Sequence, residues 1–190
     1  MYRNWIHISA AAGVPEEVAL RAESARLRLE SQLRRETARA SIASALEVAP
    51  FRRTAENVIP ANQATIAANQ AIEAAEAAAR AADQAAEAAS ITSKAIHQEI
   101  LAARHAAAAS REALGSAGDL LNAVIGVTRS SSERAAEMAQ EKRGKAEFNA
   151  MIANQAAAEA MEAVRVAEAT RGLLSRYFPA VIDRIIELYT

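Results

Sequence analysis

Alanine stands at positions 67, 74, 81, 88, 95, 102 and 109, every seventh residue without a miss. One line along a helix is thus held to the smallest good helix former through the middle of the chain. A strict seven-residue period predicts helices that pack side by side with a left-handed supercoil. Polar residues keep to a line of their own. Glu73, Glu76, Arg80, Asp83, Glu87, Ser90, Lys94 and His97 advance by threes and fours, which predicts one narrow solvated stripe with ion pairs in reach. Ala again fills positions 64, 71, 78 and 85, and positions 61, 68, 75, 82 and 89. The small apolar sector is therefore wider than one neighbouring helix requires. Either several helices of the chain or several copies of it should surround this segment.

Punctuation residues divide the pattern. Pro15, Glu16 and Glu17 suit the first turn of a helix, predicted over 14–49 and ending before Pro50. Its apolar positions, Val18, Ala22, Ala25, Leu29, Leu33, Ala40 and Ala43, include steps of eleven residues, as in a straight or slightly right-handed helix. A second helix is predicted over 57–114, with Pro60 in its first turn and Gly115-Ser116-Ala117-Gly118-Asp119 as the turn that ends it. Residues 118–130 read equally as loop or helix. Ser130 and Glu133 form a capping box for a third helix over 130–171, with a second alanine line at Ala139, Ala146, Ala153, Ala160 and Ala167 and Gly172 as its C-cap. An N-terminal segment, 1–13, and an amphipathic segment, 173–190, flank these helices. The expected fold is all-α: one elongated, antiparallel, Ala-rich coiled coil or helical bundle. It has two very long helices, a shorter N-terminal helix and an amphipathic C-terminal helix.

Composition sharpens this. The chain has 190 residues and a formal net charge of -1, with 52% hydrophobic but only 4% aromatic residues. Each buried alanine methyl contributes roughly 0.8 kcal/mol and loses no side-chain entropy. Stability must then come from many thin layers, hence from length or from association. The large apolar side chains collect at the chain's extremes. Trp5 stands near the start, and Tyr177, Phe178, Ile182, Ile185 and Tyr189 near the end. They form either a small capping core or a surface that docks a neighbouring subunit. Asp183 and Glu187 lie opposite the apolar face of the tail, which favours subunit docking over membrane insertion.

Near-zero charge argues against a nucleic-acid binder. Arg34, Arg35, Arg39, Arg52 and Arg53 cluster, but Glu30, Glu36 and Glu47 interleave with them, as on a solvated face. There is no cysteine. The histidines at 7, 97 and 105 do not have the spacing of a shared metal site, and no phosphate loop, nucleophile elbow or HExxH stands in the chain. No catalytic residue, cofactor or metal is expected. No run of residues is long and apolar enough to span a membrane, and 1–13 reads as a structured start in place of a cleaved signal.

Ala-Asn-Gln-Ala recurs at 61–64, 68–71 and 153–156, on Ala- and Gln-bearing helices. In this the chain resembles the internal virion (ejection or core) proteins of short-tailed bacteriophages, which are helical and assemble into tubes or cores. The resemblance implies a structural virion component, located in the virion or the bacterial cytoplasm, and carries over no functional residue. The pattern itself leads to a non-enzymatic subunit that self-associates, as a homo-oligomer or with other structural proteins of one assembly. The alanine lines at 67–109 and 139–167 would be its seams, and the apolar termini its docking points. Two rival classes are a membrane-active helical protein and a monomeric partner-binding adaptor.

Overall fold

The computed structural model describes residues 16–52 and 54–177. Their regular elements are all helical: α1 (Glu16–Arg52), α2 (Val58–Ile91), a single 3-10 turn (Ser93–Ala95), α3 (Ile96–Ile125) and α4 (Arg129–Tyr177). Side-chain contacts set the directions. Arg28 of α1 meets Asp83 of α2, while Arg39 meets Glu76, so α1 and α2 are antiparallel. Gln98 meets Glu159, and Lys142 meets Asp119, so α3 and α4 are antiparallel too. The chain runs up, down, up, down through a bundle of four helices. Helices α2, α3 and α4 pack mutually; α1 lies on α3 and, less closely, on α2.

The expected helix over 57–114 is two helices. It breaks at Thr92, which is extended (φ -142°, ψ 131°) and is followed by the 3-10 turn. Ser90, Thr92 and Ser93 are the only hydroxyl residues between Ile66 and Ala109. Such side chains offer the backbone alternative partners and weaken a helix; Ser90 Oγ already bonds Glu87 O at 2.6 Å. The expected turn at Gly115–Asp119 is helix instead. Two glycines cost a helix about 1 kcal/mol each, but packing holds this stretch in α3. Ser116 Oγ donates to Ala139 O (3.1 Å), Lys142 Nζ bonds Asp119 (2.6 Å), and Leu120 is fully buried. A Cβ at Gly115 would stand 2.9 Å from Lys142 Cδ, so the glycine admits the crossing lysine.

The true corner is Gly126-Val127-Thr128. Thr128 Oγ1 accepts from Ser131 N (3.2 Å), and Ser131 Oγ accepts from Thr128 N (3.3 Å). A reciprocal cap thus exists, one residue pair away from the expected Ser130–Glu133 box. Gly126 is needed here, because a Cβ would fall 2.2 Å from the buried Ser132 Oγ. At the other end, α4 continues through Gly172 to Tyr177, so Gly172 caps nothing. Helix α1 passes through Pro50 to Arg52. With 37 residues it is longer than α2 (34) or α3 (30), not a shorter N-terminal helix.

The buried face of α1 is also not the one its large residues suggested. Val18, Ala22, Ala25, Leu29, Leu33, Ala40 and Ala43 are all exposed. The inner face holds Ser24, Leu27, Ser31, Ala38, Ile42, Ala45 and Ala49. Ser24, Ser31, Ala38 and Ala45 stand seven apart, so α1 packs on the same beat as the other helices. Serine at the first two places hides that beat from a reading of apolar residues.

Candidate functional site

All but one of the first alanine line is buried: Ala67, Ala81, Ala88, Ala95, Ala102 and Ala109 are at most 3% exposed, and Ala74 is partly buried against the core. On α4, Ala139, Ala146, Ala153 and Ala160 are fully buried, while Ala167 is half-buried. Other helices of the same chain cover these methyls. The seam holds the bundle together and is not left open to a second copy. The polar stripe is solvated as the pattern predicts, but the break at Thr92 divides it: Glu73, Arg80, Asp83, Glu87 and Ser90 on α2, Lys94 in the 3-10 turn and His97 on α3 are exposed, and Glu76 is half so.

The core is small inside. Among the described residues its large apolar members are Leu27, Ile42, Ile72, Ile96, Ile100, Leu120 and Val124; nearly all the rest is alanine. More than twice as many large apolar side chains lie exposed, including Leu29, Leu33, Phe51, Ile59, Val127 and Phe148. Solvent-facing Leu, Ile and Phe are ordinary singly; an ordered row of them marks a contact surface.

Many of the exposed residues are spread singly along α2, α3 and α4, as Ile66, Leu101, Phe148 and Met151 are, and the others gather in three places. One is the stripe along α1. A second is the tip where the chain turns from α1 to α2 and from α3 to α4, bearing Phe51 (88% exposed), Ile59, Ile125 and Val127 (90%). Asn57 binds this tip together. Its Nδ2 donates to Arg52 O (2.9 Å) and Val124 O (3.1 Å), and its Oδ1 accepts from Thr54 N (2.8 Å). The third is the end of α4. Glu159 is level with the start of α3 through Gln98, and Val164 is the last residue packed on the core. Beyond it α4 runs on for about 20 Å, with Val166 and Leu173 exposed. Of the six expected docking residues, Tyr177 ends α4, and Trp5, Phe178, Ile182, Ile185 and Tyr189 lie outside the described residues. Glu16 and Tyr177, which join those segments to the bundle, stand at the same end of it.

Polar chemistry is sparse. A cleft of about 240 Å³ between α1, α2 and α3 is lined by Arg28, Ser31, Arg35, Asp83 and neighbours. Arg28 bonds Asp83 at 3.2 Å across it, and Arg39 pairs with Glu76 outside its lining. Arg35 donates Nε to Ser31 O. Burial first, and then the charge of Arg39, lower its pKa, yet a guanidinium stays charged near neutrality. Ser31 Oγ lies 2.8 Å from Ser110 Oγ and bonds Ala106 O, so this hydroxyl is tied into a helix contact and has no base beside it. His105 Nδ1 bonds Asn149 Oδ1 at 2.8 Å, and His97 is exposed. Among the described residues no three His, Cys, Asp or Glu side chains gather to hold a metal, and no helix is long and apolar enough to cross a membrane.

Sequence reasoning missed Asn57 and the buried hydroxyls of Ser24, Ser31, Ser110, Ser116 and Ser132. A signal for two of them existed: Ser116 and Ser132 fall on the two alanine lines, seven residues after Ala109 and seven before Ala139. Comparison with protein-family models, with curated proteins and with solved structures gives no match.

Proposed function

We propose that this chain is a non-enzymatic structural subunit that works by associating with copies of itself in a larger assembly. The observation that carries this reading is the inverted distribution of side-chain size. The core uses alanine, while Leu29, Leu33, Phe51, Phe148, Met151 and Leu173 stand in solvent. A monomer under no further demand would gain by burying those side chains and exposing the small ones. Heptad-spaced small residues supply close, coiled-coil-like packing between helices of one chain. The outer apolar residues remain for contact between chains. The ion pairs Arg28–Asp83, in the cleft, and Arg39–Glu76, beside it, link α1 to α2, which suits a scaffold better than catalysis. A virion component of the short-tailed phage type is the concrete version of this reading.

The test is mass photometry with electron microscopy of the full chain. A discrete ring or a filament supports the proposal; isolated single chains at every concentration contradict it. One observation favours a second reading, a membrane-active protein. The tip joins exposed Phe51, Ile59, Ile125 and Val127 to exposed Arg52 and Arg129, an apolar wedge with basic neighbours. Leakage of dye from anionic liposomes, abolished by Phe51→Ser with Val127→Ser, would replace assembly with that activity.

A further inference from the structure

The geometry points to the exposed stripe of α1 as a contact between two copies of this chain, the two α1 helices lying antiparallel across a two-fold axis level with Ser31. This rests on the self-association proposed above and assigns its surface. Val18, Leu29 and Leu33 are each more than half exposed, and Ala22 and Ala40 are exposed beside them on the same helical face. Helix α1 packs on α2 and α3 through its opposite face, so the stripe is the side turned away from the bundle.

The sequence of the stripe is self-complementary in one register. An isologous contact requires each residue to meet the one placed symmetrically about the axis. About Ser31, Leu29 falls level with Leu33 of the other copy, and Ala22 with Ala40. Glu36, which accepts from Gln32 (2.9 Å), is the one carboxylate on this face between Val18 and Ala43, and the same register brings it level with Arg26 of the other copy, itself paired with Glu30 of its own helix (3.6 Å). Leu thus meets Leu, Ala meets Ala and acid meets base at the centre of the stripe, while Val18 and Ala25 fall level with Ser44 and Thr37 of the other copy. A parallel pair would instead set Glu36 against Glu36, a like-charge contact that disfavours it.

The stripe from Val18 to Ala43 is about 38 Å long and, with side chains, about 12 Å wide. Two copies together would cover about 900 Å², below the roughly 1,200–2,000 Å² of stable specific interfaces and in the range of weak, transient ones. The pair therefore forms in a concentration-dependent way, as a repeated weak contact within an assembly.

The chain has no cysteine, so single cysteines report the register directly. An equimolar mixture of Ala22→Cys and Ala40→Cys chains is expected to cross-link between copies under mild oxidation. Ala22→Cys alone is expected not to, its two sites being about 27 Å apart along the pair. Leu29→Gln with Leu33→Gln, both solvent-facing, is expected to leave the circular dichroism and melting temperature unchanged and to lose the rise of mass with concentration. Self-linking of Ala22→Cys overturns the antiparallel register. A double variant that still associates like the wild type overturns this surface but leaves self-association standing. A wild type that never exceeds one chain overturns both.

Discussion

A methyl group is all that fits at Ala81. The side chain is 1% exposed and lies on the face of α2 that the other helices cover. Extra methylenes in such a layer cost about 1–3 kcal/mol, whereas Glu87, on the solvated stripe, has room. Thermal melts should show Ala81→Leu lowering stability by about that amount and Glu87→Ala by less than about 0.5 kcal/mol; the reverse order would contradict the assigned layers. The alanines announced themselves through their period. The serines did not, because a hydroxyl reads as surface until the structure shows it in a helix contact. Asn57 was silent for a different reason: its three bonds join Arg52, Thr54 and Val124, and the last of these partners is far away in sequence. Asn57→Ala leaves two carbonyls and one amide without that partner. It should destabilise the fold by about 1–3 kcal/mol, measured by chemical denaturation, with the bundle's helicity retained below the transition.

At the scale of elements, the periods were legible and the corners were not. The seven-residue line continues from Ala109 through Ser116 and Ala123, and that continuity, more than the glycine pair, marks 115–118 as helix. Glycine weakens a helix without ending it when Leu120, Ser116 and Asp119 are anchored. Conversely, the break at Thr92 needs no glycine or proline, only a few hydroxyl residues and a tertiary reason to turn. Gly118 tests this directly. Nothing lies within 4 Å of a Cβ built there, so Gly118→Ala should stabilise the protein by about 0.5–1 kcal/mol if the residue is helical; a loss would restore the turn. Two carboxylates of α4 carry a charge signature, one of them through its contact with α3. Hydrogen bonds from Gln98 first, and then Gln155, hold the Glu159 carboxylate below its ordinary value, and the Lys145 hydrogen bond does the same for Glu141. Groups lowered in this way stabilise the fold at pH values above the ordinary carboxylate range and lose that contribution as the pH falls through their folded pKa. A melting temperature that is level near neutrality and declines on the acid side is expected, with a shallower decline in Gln98→Ala. Both carboxylates are solvent-exposed, so the effect is small.

For the whole molecule, the pattern of small residues was enough to read an all-α bundle, because a wide alanine sector has to be surrounded. It was not enough to say by what. The structure answers that helices of the same chain surround α2, so the contact between copies proposed above falls elsewhere: on the row of α1 that the pattern marks as that helix's apolar positions, on the tip around Phe51 and Val127, and on the far end of α4. The alanine seams and the surface proposed for self-association are thus different parts of the molecule. The most direct measurement is sedimentation velocity of the full chain over a hundredfold range of concentration. The account predicts an average mass that climbs from the 20.1 kDa of one chain toward multiples of it. A mass that stays at one chain throughout would contradict it.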